Sequence, residues 1–184
     1  GYSAQEVQDT YGFMAVESMQ QAKRICEEGL KIGNSPVSCL GNPEMAVGLS
    51  RHSDLVTPQP FNYGQHMKLI IFKLIKGKVK TMVEGASQLD PTPNFDCHVS
   101  KMANVDLSTA SHQIAYEYTQ YYLYEYGEFD LEPRPRQIYP YAVMDLRYIG
   151  HDTRATNRAP PALHKQASSD RSTFAPRGSM HHPP

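Results

Sequence analysis

Lys68-Leu69-Ile70-Ile71-Phe72-Lys73-Leu74-Ile75-Lys76-Gly77-Lys78-Val79-Lys80-Thr81-Met82-Val83 is the stretch on which the fold turns. Leu69 to Leu74, with Ile75 following, reads as a buried strand, apolar on four consecutive positions from Leu69 to Phe72. Lys76-Gly77-Lys78 bends the chain and Val79 to Val83 reads as a second strand, so the stretch predicts two neighbouring antiparallel strands. Its apolar run is flanked and interrupted by Lys68 and Lys73, far short of the roughly 20 residues that a bilayer span needs. No membrane partner is expected.

Outward from this centre the periodicities are mixed. Gly12 to Val16 reads as a short strand, and Ser18-Met19-Gln20-Gln21 after it is a capping box, in which the Ser18 hydroxyl accepts from an orphan amide. Met19, Ala22, Ile25 and Cys26 then share one helical face, and Gly29 closes the helix. Asp90-Pro91-Thr92-Pro93-Asn94 is a loop, because two prolines two apart exclude a helix or a central strand. Ser111 to Tyr126 is expected to be helical, with Ile114, Ala115, Tyr118, Tyr121 and Tyr122 on one broad face and Gly127 as its stop. Tyr141 to Ile149 alternates enough for a last strand. Elements segregated in this way imply an α+β domain with largely antiparallel sheets.

The chain of 184 residues, 40% hydrophobic with 10% aromatics, is large enough to bury a core as one domain. Residues 151–184 are different. They hold five of the 14 prolines, five of the 18 Lys and Arg, and a single aromatic, Phe174. That composition places the domain at 1–150 and a disordered basic Pro/Ser-rich tail or linker at 151–184. The net charge of -1 supplies no global field for nucleic acid. The start carries no basic region followed by an apolar one, so no signal peptide is expected. Cys26, Cys39 and Cys97, an odd number at wide spacing, suit reduced thiols in the cytosol or nucleus. With His98 and His112 they offer no Cys-x-x-Cys or His-x-x-x-His pair, so no metal site is assigned. Nor does a Gly-x-Ser-x-Gly, Walker or dinucleotide motif appear.

A more specific signal comes from three landmarks taken together. Phe13 to Leu30, a strand leading into a capped helix that ends Glu28-Gly29-Leu30, resembles the opening of the poly(ADP-ribose) polymerase (PARP) catalytic domain. Asn42 to Asp54 resembles that family's next strand, and Ile138 to Leu146 its late one. More narrowly, Leu40-Gly41-Asn42-Pro43, Ile71-Phe72-Lys73, Cys97-His98-Val99-Ser100-Lys101 and Pro140-Tyr141-Ala142-Val143 are similar to the TASOR (transcription activation suppressor) pseudo-PARP family, which includes a testis-expressed germline silencing protein. The resemblance implies an ADP-ribosyltransferase-like fold of two mostly antiparallel sheets with flanking helices. It implies a nuclear address and an interaction module of a heterochromatin-silencing complex, with protein partners and also RNA or chromatin as candidates. The germline alternative is a role in meiosis and small-RNA-directed transposon silencing.

Active members of the PARP family need a histidine for ribose hydroxyls, a tyrosine to stack on nicotinamide and a glutamate for the ribose 2′-hydroxyl. Counting back from Gly29-Leu30, the histidine position falls on Ala15; the tyrosine position falls on Gly48 and the glutamate position on Pro140, immediately before Tyr141, so the three carry no donor, ring or carboxylate. The resemblance therefore implies a pseudoenzyme that binds no NAD and uses no cofactor. The rival is an active mono-ADP-ribosyltransferase with rearranged residues, for which Glu17, Glu44 and Asp145 are the carboxylates near the three positions.

Two surfaces are candidates for binding. Tyr116, Tyr118, Tyr121, Tyr122, Tyr124 and Tyr126 are too dense for one buried stripe, and exposed tyrosine is enriched at interfaces. Lys76, Lys78 and Lys80 are expected on one side of a strand beside Tyr63 and His66, as a phosphate-facing patch for nucleic acid.

Overall fold

A computed structural model describes residues 1–35, 39–56, 66–82, 88–101 and 112–147, all within a unit of residues 1–150. The tail reading for 151–184, and the parts of the strand, helix and loop readings that fall on other residues, lie outside the described residues. Seven strands form one sheet: β1 (Asp9–Val16), β2 (Val47–Ser50), β3 (His66–Ile75), β4 (Val79–Met82), β5 (Cys97–Ser100), β6 (Gln120–Leu123) and β7 (Ile138–Arg147). Their order is β4-β5-β6-β2-β1-β3-β7, with β4 and β5 parallel and every other pair antiparallel. Two helices, α1 (Met19–Glu28) and α2 (His112–Tyr118), and two short 3-10 turns complete the described elements.

One sheet stands where two were expected. Its halves, β7-β3-β1 and β2-β6-β5-β4, are joined by a single registered pair, Phe13↔Ser50, so the β1–β2 seam is the weakest in the sheet. β3 lies between β1 and β7 with Leu69, Ile70, Phe72 and Leu74 buried, in keeping with the apolar run Leu69 to Phe72.

The expected β3–β4 hairpin does not form, and β4 lies at the far edge of the sheet. The backbone around Gly77 finds other partners: Gly77 N–H donates to Glu6 O at 3.0 Å and Lys78 N–H to Asp96 Oδ2 at 2.8 Å. A Cβ at Gly77 would lie 2.4 Å from that same carboxylate, so this glycine permits a close approach to Asp96 rather than a two-strand turn.

α1 follows its sequence signals. Ser18 Oγ accepts from Gln21 N–H at 3.1 Å, and Gly29 ends the helix at φ 83°. Its inner stripe is narrower than expected, because Ala22 and Ile25 are buried while Met19 and Cys26 are exposed. These two residues join Val16, Leu30, Val47, Leu49, Ile70, Phe72, Leu74, Tyr121, Leu123 and Ile138 in the main core.

The expected helix over 111–126 is half strand. α2 ends at Tyr118, Thr119 turns, and β6 begins at Gln120. Thr119 Oγ1 donates to Ala115 O at 2.6 Å, a bond back to the preceding turn, and the β-favouring run Tyr121-Tyr122-Leu123-Tyr124 follows. Burial on both sheet faces explains the misreading. Tyr121 and Leu123 enter the main core, whereas Tyr122 and Tyr124 enter a second core with Leu40, Ala46 and Met82.

Candidate functional site

Strand alternation places Ala15 and Gly48 on the sheet face away from the main core, since Val16, Val47 and Leu49 point into it. Both lie beside the β1–β2 seam, two residues beyond Phe13↔Ser50 on each strand. Pro140 is not brought to them. It sits on β7, opposite Phe72 of the core, at a register shift on the sheet's edge, and the ladder that runs through Ala15 continues to Leu69 and Met144 instead. Glu17 and Glu44 are solvent-exposed, and Asp145 is bonded to Lys68 Nζ at 2.7 Å, which holds its carboxyl below the usual range.

The seam is occupied by Asn34, which the sequence analysis did not single out. Its Oδ1 accepts from Gly48 N–H and its Nδ2 donates to Gly48 O, each at 2.8 Å, reproducing the two bonds that a paired strand residue would make. Asn34 Nδ2 is also 3.9 Å from Met14 Sδ, so the side chain stands between β1 and β2 where the ladder would continue. Buried Ser35 follows directly over Gly48: a Cβ at position 48 would lie 2.7 Å from Ser35 Cβ and 3.2 Å from Gln120 Oε1. A tyrosine at this position would therefore collide with the chain's own loop. The sequence offers one signal for this wedge, an Asn beside a Gly in a loop after a helix, and that signal ordinarily marks a turn.

The comparisons with known proteins agree on one relationship. A family model described as "Protein of unknown function (DUF3715)" matches residues 1–140. Protein TASOR of Homo sapiens is 42% identical over 154 residues, covering 78% of this chain and 9% of that protein. Protein TASOR of Xenopus laevis is 37% identical over 186 residues, covering 92% of this chain and 12% of that protein. A crystal structure of the TASOR pseudo-PARP domain aligns with a TM-score of 0.67 and 44% identity, over 79% of this chain and 68% of that one. The chain belongs to the TASOR pseudo-PARP family. It spans about a tenth of the length of the curated relatives it matches.

In this member of the family the tyrosine run is mostly structural. Tyr121, Tyr122 and Tyr124 are buried, Tyr116 and Tyr118 are half-buried, and Tyr126 alone of the six is exposed, at 46%. The six therefore form no single exposed helix face. Tyr122, Tyr124 and Tyr126 instead make a ladder of tilted rings whose hydroxyls donate to backbone carbonyls of the neighbouring loops: Asn42 O at 2.8 Å, Thr92 O at 3.0 Å and Pro91 O at 2.6 Å. Burial pushes the Tyr122 and Tyr124 phenols well above their ordinary range.

His98 stacks on Tyr122 and is fully buried. Its Nδ1–H donates to Leu40 O at 2.8 Å, which leaves Nε2 to accept from Thr92 Oγ1–H at 3.1 Å; Tyr124 Oη, whose proton goes to Thr92 O, lies 2.9 Å from Nε2. Burial lowers its pKa, so the ring is neutral. Neighbouring Cys97 is buried in the main core, and its thiol is pushed up to about 12. Among the described residues no three His, Cys, Asp or Glu side chains gather to hold a metal ion.

The lysines do not line one strand. Lys76 and Lys78 lie in the connection before β4, and only Lys80 is in it. Lys80 Nζ donates to Thr92 Oγ1 at 2.9 Å, and Lys78 Nζ lies 5.6 Å from the Tyr2 ring centroid. His66 begins β3 at its other end, about 30 Å from Lys76 by strand rise, and Tyr63 lies outside the described residues.

The exposed large apolar side chains are elsewhere. Tyr11, Tyr139 and Tyr141 cluster on the β1–β3–β7 part of the sheet, with the Tyr11 and Tyr141 rings 5.8 Å apart, and Phe129 projects from a turn at 93% exposure. Phe129 escaped the sequence reading because no periodic pattern contains it. Its setting, Gly127-Glu128-Phe129-Asp130, is nonetheless a polar turn with one aromatic residue in it.

Proposed function

We propose that this chain is a catalytically inactive PARP-like domain that serves as a protein-interaction module in nuclear gene silencing. One observation carries the first half: the place matching the nicotinamide-stacking ring is Gly48, and Asn34 and Ser35 fill the space above it. Ala15 and Pro140, in the other two matched positions, offer neither a ribose-binding donor nor a carboxylate, and loss of a positioned acid or base alone costs about 10²- to 10⁴-fold in rate. The similarity to a domain described as a pseudo-PARP supports the same reading. The silencing role and the nuclear address rest on the family resemblance. A protein partner is favoured over RNA because Lys80, central to the basic patch, is bonded to Thr92, while large apolar rings stand in solvent. Titration calorimetry with millimolar NAD, together with mass spectrometry for ADP-ribose on the protein, tests the inactive half. No isotherm and no modification are expected, and either signal would overturn it.

A further inference from the structure

We infer that the turn Gly127–Asp130 presents Phe129 as a preformed anchor for a protein partner whose surface offers an apolar pocket with a Lys/Arg rim. This inference rests on the interaction-module reading and gives it a location. Among the described residues Phe129 is the most exposed of the large hydrophobic side chains, at 93% against 65% for Tyr141, so it stabilises little within the domain itself. The turn that carries it is nevertheless fixed from several sides. Gly127 N–H donates to Asp130 O at 2.7 Å, Glu132 N–H to Glu125 O at 2.8 Å, and Leu131 N–H to Asp130 Oδ1 at 2.7 Å. Tyr126 and Leu131 form a β-bridge, with Leu131 packed on the second core and Tyr126 Oη tied to Pro91 O. A Cβ at Gly127 would lie 3.0 Å from the backbone Asp130 O, tighter than ordinary contact, so a larger residue would strain the closure of this turn.

Rigid presentation matters because an anchor already held in place loses little entropy on docking, and aromatic anchors in central pockets dominate protein interfaces. The charge around it selects the partner. Glu128 and Asp130 flank Phe129 in the chain and Glu132 follows; none of the three makes an ion pair among the described residues. Glu125 is bonded to Arg136 and holds its pKa up, and Glu132 is near enough to Arg136 to help. Acidic residues beside an apolar tip complement a basic rim around an apolar pocket, and they repel acidic surfaces.

The test uses the full chain in cells, with benzoyl-phenylalanine at position 129 and, as control, at exposed Lys31. Photo-crosslinked peptides are identified, and the purified partner is titrated with wild type, Phe129→Ala, and Glu128→Lys with Asp130→Lys. We expect crosslinks on one protein at a pocket flanked by Lys or Arg, at least ten-fold weaker binding for Phe129→Ala at unchanged melting temperature, and weaker, less salt-dependent binding for the charge reversal. Unchanged affinity in Phe129→Ala, crosslinks no more focused than at position 31, or a melting temperature lowered by several degrees would each overturn the anchor. Crosslinks solely to a second copy of this chain would overturn the choice of partner. A reporter-silencing arm separates this proposal from the one beneath it. Silencing lost on deleting the domain but retained in Phe129→Ala rejects the anchor alone, whereas silencing retained after deletion rejects the module.

Discussion

Gly48→Ala adds one methyl group where Ser35 already stands. The backbone of Gly48 is outside the left-handed region, so alanine meets no conformational penalty and the effect is purely steric. The new Cβ would lie 2.7 Å from Ser35 Cβ and 3.2 Å from both Ser35 Oγ and Gln120 Oε1. Ser35 Cβ is fixed to the backbone, so relief requires the loop to move, and that movement pulls Asn34 from its two 2.8 Å bonds with Gly48. Overpacking of this kind costs about 1–3 kcal/mol. Urea denaturation followed by circular dichroism should resolve the loss, and a cycle with Ser35→Gly should identify its cause. Removing Ser35 Cβ relieves the overlap, so the double variant should be more stable than the sum of the two single changes by about 1 kcal/mol, beyond the roughly 0.5 kcal/mol scatter of independent sites. An additive cycle, or a Gly48→Ala variant within about 0.5 kcal/mol of wild type, would refute the claim that the loop closes this position.

Two further outcomes follow from the aromatic core. His98 is neutral and its folded pKa lies below the ordinary 6.5, so the unfolded chain takes up the proton first. Its contribution is fully present above pH 6.5 and is lost as pH falls below it, by up to about 1.4 kcal/mol per pH unit; denaturant midpoints from pH 8 to pH 5 should show this fall, and His98→Gln should flatten it in that window. A wild-type profile already flat between pH 6.5 and pH 5 would contradict the buried neutral ring. Tyr124→Phe removes a buried hydroxyl that donates to Thr92 O and accepts from Thr92 N–H, and should cost about 1–3 kcal/mol. Tyr126→Phe, at the surface, should cost at most about 1.5 kcal/mol, and equal losses for the two in thermal melts would count against the burial assigned to them.

What the sequence determined by itself was local. Ser18 and Gly29 bounded α1 because caps act through bonds to the adjacent turn, and the four consecutive apolar residues Leu69 to Phe72 marked β3 as a buried strand because consecutive positions face opposite sides of a sheet. The family itself was legible too, from landmarks such as Leu40-Gly41-Asn42-Pro43 and Pro140-Tyr141-Ala142-Val143. Tertiary structure decided the rest, wherever a segment's partner is distant in the chain. β4 follows β3 directly yet pairs with β5, because Glu6 and Asp96 satisfy the backbone between them. The tyrosines of β6 satisfy a helical period on paper, but two cores on opposite faces of one sheet bury them as a strand. Asn34 shows the limit most clearly: it substitutes for a strand residue at the β1–β2 seam, a role fixed by Gly48 fourteen positions later and by no pattern in the sequence around it.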